Sequence, residues 1–382
     1  MADEQQASGF NIRDYLNLRL LLILAPIAYL AQDALGDVGT FALSALALIP
    51  LAGLVGESTE EIASYIGPKW GGLLNATLGN AAELIITIFA ISEGKLELVR
   101  ASIIGSILGN LLLVAGVAML LGGLKNGIQK FDKQTAVMNA TLVVLALMAL
   151  IIPSFFDEAI ITGVEAFENS EDVVTTIVVS EDAENRELLF SEGIAAILII
   201  VYGASIVYQF VSEEKTPLER EPAETHHAKW SMRTALGIMI VSVLGIVFMS
   251  EVLVHAVEGV TEELGLTELF IGIIIVPLVG NVAEHLVAVQ VALKNKMDLS
   301  MNIALGSSLQ IALFVAPVLV FVSLLFDDKL LLVFSEFELV ALAAASFVAA
   351  LVAQDGESNW LEGLMLISVY GVIGLAFFVL PA

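Results

Sequence analysis

Apolar runs long enough to cross a bilayer fill most of the chain, and short polar connections separate them. Eleven such segments are read, at roughly 15–32, 36–56, 71–93, 98–122, 135–156, 188–211, 231–255, 266–293, 299–326, 329–353 and 360–381. About 20 apolar residues is the length a helix needs to span hydrocarbon. The pattern predicts an all-α polytopic membrane protein. The first segment is short and carries Arg19, so an oblique or interfacial placement is open to it. Residues 1–17 are polar, and no small-residue cleavage site follows Leu18–Ala31, so this segment is expected to stay.

Two segments are interrupted in the same way. Leu78–Leu84 (LGNAAEL) and Val279–Leu286 (VGNVAEHL) each place a Gly-Asn pair and a glutamate in apolar sequence. Aligning residue n with n + 201 pairs Gly79 with Gly280, Asn80 with Asn281 and Glu83 with Glu284. The same offset pairs Gly105 with Gly306, Ser106 with Ser307, Leu108 with Leu309 and Leu112 with Leu313. Thr59-Glu60-Glu61 meets Thr261-Glu262-Glu263 with a slip of one residue. The chain therefore reads as an internal repeat. Each copy holds five segments, and an odd number makes the second copy enter from the opposite side. That is the inverted-topology architecture of many secondary transporters, with the substrate site at the repeat interface near the midplane. The expected division is 1–35 for the N-terminal tail and extra helix, 36–211 for the first five-helix repeat, 212–230 for a linker and 231–382 for the second repeat.

Lys and Arg set the orientation. With the 212–230 connection inside, Arg13, Arg19, Lys69, Lys125, Lys130, Lys133, Lys215, Arg220, Lys229, Arg233, Lys294 and Lys296 all fall inside, twelve of the 16 basic residues. Lys95, Arg100, Arg186 and Lys329 fall outside. The expected arrangement is a multi-pass protein of the cell membrane with a cytoplasmic N-terminus and an external C-terminus. The long connection Asp157–Glu187 is then external and acidic. The 212–230 linker carries His226–His227 and is read as a solvated connection or as a cation or pH sensor.

Composition adds limits. The chain has 382 residues, 58% of them hydrophobic and 15% charged. A net charge of −26 argues against nucleic-acid binding and sits almost wholly in loops. A solvated acidic surface explains it, and attraction of cations to a channel mouth is compatible with it. The absence of cysteine removes disulfides, thiolate chemistry and Cys-based metal sites. No cofactor is expected, and a homo-oligomer is compatible with the sequence but not specified by it.

An ionisable group in hydrocarbon is costly and by default marks an ion or proton pathway. On a helix Asn80, Glu83 and Thr87 share one face, as do Asn281 and Glu284. Gly79 and Gly280 lack side chains, so an ion can reach backbone carbonyls there. Pro277 precedes the second motif and frees one more carbonyl. The partner segments carry Ser106 and Asn110 (GSILGN) and Ser307, Ser308 and Gln310 (GSSLQ). Two carboxylates with neutral oxygens suit Ca²⁺ and related hard ions. Carboxylates can also take protons, since desolvation and a neighbouring like charge favour the neutral form. A site that holds either a divalent cation or protons is an exchanger. The candidate metal set is Glu83, Glu284, Gly79, Gly280, Asn80 and Asn281, with the two glutamates coupling cation to proton. The supporting set is His285, Ser106, Asn110, Ser307, Ser308 and Gln310. His285 is open to ligation, proton relay or orientation of Glu284.

Residues 67–84 (GPKWGGLLNATLGNAAEL) resemble the first signature repeat of the calcium/proton exchangers, the CAX branch of the cation/Ca²⁺ antiporter superfamily. Residues 275–285 (IVPLVGNVAEH), followed by 306–312 (GSSLQIA), resemble the second. The resemblance covers most of the membrane portion. It implies one extra N-terminal helix plus two inverted five-helix repeats, eleven transmembrane helices in all. It also implies alternate binding of Ca²⁺ and protons by Glu83 and Glu284, and an acidic cytoplasmic segment between the halves. The expected function is a secondary antiporter that exports Ca²⁺ in exchange for H⁺ across a lipid bilayer, and not an enzyme. A Na⁺/Ca²⁺ exchanger and a cation channel are the alternatives. An intramembrane metalloprotease is disfavoured because Glu284-His285 has no second histidine nearby.

Overall fold

A computed structural model describes residues 19–168, 173–211 and 229–380. The tail with Arg13 and the linker stretch with Lys215, Arg220 and His226–His227 lie outside the described residues. The chain begins with a 3₁₀ turn, Leu20–Ile23, and a short helix α1, Leu24–Leu30. Helix α2, Gln32–Ile66, is kinked at Gly36, where φ is 67°. Helices α3, Pro68–Leu78, and α4, Ala81–Ser92, follow in place of one continuous span. Then come α5, Leu96–Asn126, α6, Lys133–Glu168, α7, Val173–Val211, and α8, Met232–Leu264. The second motif lies between α9, Glu268–Gly280, and α10, Val282–Leu293. Helices α11, Met297–Ser323, α12, Glu336–Ala353, and α13, Trp360–Val379, complete the chain. The one strand pairing among the described residues is a two-residue antiparallel pair, β1 Gln129–Lys130 with β2 Glu357–Ser358.

Eight described helices are long and apolar enough to cross a membrane, or nine if the bent pair α9–α10 is one span. The difference from eleven arises at two places. The N-terminal helix is short, and the 71–93 segment is divided at Gly79-Asn80, so neither half passes alone. The connection expected over Asp157–Glu187 is mostly helical, because α6 runs on to Glu168 and α7 starts at Val173. Its Glu- and Ala-containing ends continue the helices outward.

The 329–353 segment is helical only from Glu336, where Ser335 and Glu338 form a capping box. Ahead of it Leu330, Leu332 and Phe334 are buried without helical hydrogen bonds. Their N–H groups donate to the hydroxyls of Ser323, Ser191 and Ser154 at 2.9, 3.1 and 2.8 Å. Non-helical backbone in an apolar interior needs such partners.

The core centres on the two helices that carry the serine motifs. Of the apolar window in α5, 83% is buried, and of that in α11, 67%, against 22% for α7 and α13. Both central helices contain a π-helical turn just after the motif, Gly109–Val114 and Ile311–Val315. These positions correspond under the 201-residue offset, and single π-turns gather at functional sites.

Around this core the two copies pack differently. Gly105 of α5 lies so close to α9 that a Cβ there would stand 2.2 Å from the Ile273 carbonyl oxygen. That is the carbonyl which Pro277, lacking an N–H, cannot satisfy. Gly306, the counterpart of Gly105, has nothing within 4 Å of such a Cβ. Gly105→Ala is therefore expected to lower the thermal midpoint of the purified protein, by an overpacking cost of about 1–3 kcal/mol. Gly306→Ala should leave it unchanged or slightly raised. Differential scanning fluorimetry of the pair checks this, and equal midpoints would contradict the close packing at Gly105.

Candidate cation site

Both motifs break a helix at the asparagine. Asn80 has φ −95° and ψ 17°, and Asn281 has φ −99° and ψ 7°. Between α9 and α10 the axis turns by 62°. The broken turn starts a new helix whose N-terminal N–H groups are positively polarised. Glu83 and Glu284 each occupy the first turn of such a helix, α4 and α10. The local sequence thus brings a carboxylate to a helix N-terminus deep in the apolar body.

The two motifs then face each other. The Glu284 carboxylate lies over Gly79, where an added Cβ would meet Oε1 at 2.8 Å. The Glu83 carboxylate lies over Gly280, where an added Cβ would meet its Cδ at 3.2 Å. Each glycine makes room for the other motif's carboxylate. Glu83 is 1% exposed, and no other side chain bonds either of its oxygens. Oε2 of Glu284 is buried and likewise without one.

Amides and hydroxyls tie the motifs to the central helices across the two copies. Asn80 Nδ2 donates to Gln310 Oε1 at 2.8 Å, and Asn281 Nδ2 donates to Ser106 Oγ at 3.2 Å. Asn110 Nδ2 donates to Ser307 Oγ at 2.9 Å. Asn281 Oδ1 is buried without a partner. Thr87, on the Glu83 face, uses its hydroxyl on the Glu83 carbonyl at 2.6 Å.

Ten of the twelve expected residues are thereby gathered: Glu83, Glu284, Gly79, Gly280, Asn80, Asn281, Ser106, Asn110, Ser307 and Gln310. Ser308 is buried, and its hydroxyl bonds the Ala304 carbonyl of its own helix at 3.0 Å. His285 follows Glu284, and its buried Nε2 has no partner. The sequence alone does not show which glycine faces which glutamate. A signal for the pairing was present, since glycine precedes asparagine in both motifs. Arg19, read only as a topology marker, pairs with Glu57 of α2.

No group of three His, Cys, Asp or Glu side chains is placed to hold a metal among the described residues. A divalent cation here would take two carboxylates and fill its shell with amide, hydroxyl and carbonyl oxygens. Such a set fits a hard cation such as Ca²⁺, which takes 6–8 oxygens.

The model of the family described as sodium/calcium exchanger protein matches residues 37–211 and 234–379. A Ca²⁺/H⁺ antiporter of Aphanothece halophytica is 43% identical over 384 residues, covering 94% of this chain and 96% of that protein. The Ca²⁺/H⁺ antiporter ChaA of Bacillus subtilis (strain 168) is 40% identical over 344 residues, covering 89% and 92%. Among solved structures, that of selenium-substituted Ca²⁺/H⁺ antiporter protein YfkE superposes with a TM-score of 0.77 at 36% identity, covering 96% of this chain and 100% of that one.

The crossed glycine–glutamate contacts have a direct consequence. Gly79→Ala and Gly280→Ala are each expected to weaken Ca²⁺ binding, by about tenfold or more if the carboxylate is displaced from one charge-assisted contact. The effect should be larger at Gly79, where Asn75 O also crowds the new methyl at 2.6 Å. Calorimetric titration of the purified variants with Ca²⁺ checks it.

Proposed function

The chain belongs to the sodium/calcium exchanger protein family, and we propose that it exports cytoplasmic Ca²⁺ for entering protons at the Glu83–Glu284 pair. It is a multi-pass membrane protein and a Ca²⁺/H⁺ antiporter, not an enzyme. Ca²⁺ and H⁺ are its transported ions.

The observation that carries the site is the reciprocal placement of each carboxylate over the other motif's glycine. It favours one shared site over two separate ones. In the inward-open state Glu83 and Glu284 bind Ca²⁺, with neutral oxygens from the asparagines and the carbonyls near Gly79 and Gly280. Two carboxylates and one Ca²⁺ carry no net charge, so the loaded site can be closed off from water. After the transition external protons replace the cation, and the neutral pair returns. An empty pair with both charges exposed to low dielectric costs several kcal/mol per ion to occlude. That cost suppresses uncoupled return.

The architecture proposed is eleven spans, one extra N-terminal helix followed by two five-helix repeats of opposite orientation. The two matched blocks, 37–211 and 234–379, support a division at the linker. So do the equivalent breaks at Asn80 and Asn281 and the paired π-turns. The expected cytoplasmic N-terminus and external C-terminus rest on the distribution of Lys and Arg.

Glu83→Gln and Glu284→Gln are each expected to abolish exchange in proteoliposomes driven by a pH gradient while the protein remains monodisperse. Wild-type protein should show no Ca²⁺ flux under a Na⁺ gradient alone. Flux driven by Na⁺ but not by protons would overturn the coupling, and substantial transport by either glutamine variant would overturn the paired site.

A further inference from the structure

The two glutamates of the site are supported unequally, and a residue of the opposite copy makes the difference. No other side chain bonds either oxygen of Glu83, whose carboxylate lies against its own backbone N–H. Glu284 has one, the Ser307 hydroxyl of α11. Ser307 is itself gripped by Asn110, whose Nδ2 donates to its Oγ at 2.9 Å in a fully buried contact. A hydroxyl has one hydrogen to give. With its oxygen accepting from Asn110, the hydrogen of Ser307 is directed to Glu284. Asn110 lies in the π-turn of α5, is 1% exposed and makes no direct contact with the carboxylate that the structure records.

The repeat supplies an internal comparison. The counterpart of Ser307 is Ser106, which accepts from Asn281 rather than from a residue of the other central helix. The counterpart of Asn110 under the 201-residue offset is Ile311, which has no polar group to offer. Ser106 thus also accepts from an amide, but among the described residues it makes no recorded bond with Glu83. A fully buried asparagine also needs a reason, since burying an amide is costly unless its hydrogen bonds are made.

We propose that Asn110 is a positioning residue for cation binding, acting through Ser307 to hold Glu284 as the fixed ligand of the pair, while Glu83 is the ligand free to move. The link joins α5 of the first copy to α10 and α11 of the second, so it fixes Glu284 relative to the core rather than to its own helix. The proposal rests on Glu83 and Glu284 forming the cation site.

The test is a double-mutant cycle on the full-length protein with Asn110→Leu, Ser307→Ala and the double variant. Ca²⁺ binding is measured in detergent with no gradient, and Ca²⁺ uptake is measured in proteoliposomes at a fixed pH gradient. Each single change should raise Kd and KM about tenfold and leave the maximal rate nearly unchanged, as expected for one lost contact to a charged ligand that serves binding. The double variant should be no worse than the worse single one, because both changes cut the same chain of contacts. If Asn110→Leu does not fold, Asn110→Ala removes the donor without adding bulk and enters the same cycle. Effects that multiply in the double variant, or an Asn110 change that lowers the thermal midpoint and the maximal rate while KM stays put, overturn the proposal and make Asn110 a packing residue. Ca²⁺ binding that survives both Glu83→Gln and Glu284→Gln would instead remove the site itself, so the two failures are told apart.

Discussion

Everything in this molecule depends on holding two carboxylates face to face inside an apolar body. A buried charge costs far more than any single packing contact returns, unless it is paired or neutralised. The Gly-Asn-x-x-Glu motif answers that constraint as a unit. Asparagine breaks the helix, so the glutamate falls in the first turn of a new one, where backbone N–H groups favour negative charge. Glycine removes the one atom that would collide with the opposite carboxylate. Neither motif is complete alone, because each supplies the charge for one half of the site and the space for the other.

The central helices serve the same end. Their π-turns lie at matching positions, and they carry the hydroxyl and amide groups that hold both asparagines. The flanking helices are packed unequally. Gly105 lets α5 lie directly on the backbone of α9, and α9 carries a π-turn at Ile271–Ile275. The corresponding stretch of α3 is plain α-helix, and Gly306 faces open space. Two positions related in sequence are thus packed tightly in one copy and loosely in the other.

Much of this could be read from the chain. Hydropathy gave the all-helical membrane class and eight or nine of the eleven segments; the shared offset gave the pairing of Glu83 with Glu284, because polar residues are so rare in these segments that matches among them carry information. Ser106, Asn110, Ser307 and Gln310 were legible for the same reason. Spacing alone does not tell which of the adjacent Ser307 and Ser308 turns its hydroxyl back on the preceding turn, and in the structure Ser308 does so. The extended stretch before Glu336 was also hidden. It is as apolar as a helix, and its hydrogen-bond partners are serines 7 to 180 residues away in sequence. The crossing of glycine and glutamate is a tertiary fact, since a motif read singly shows only that a glycine lies four residues before a glutamate.

Charge balance explains why so small a set of acids suits exchange. Among the described residues no third acidic or histidine side chain joins the pair to complete a metal cluster. A cation site made of these two acids would be neutral with one divalent cation or with both carboxyls protonated. One monovalent cation leaves it with a net negative charge, which must be buried when the site closes. A third carboxylate would shift the balance, leaving the Ca²⁺-loaded form charged and costly to occlude. Two acids with neutral oxygens around them are thus the arrangement in which a divalent cation and protons each yield a form that can cross. On the proposed site, competition between them follows from the cost of burying charge.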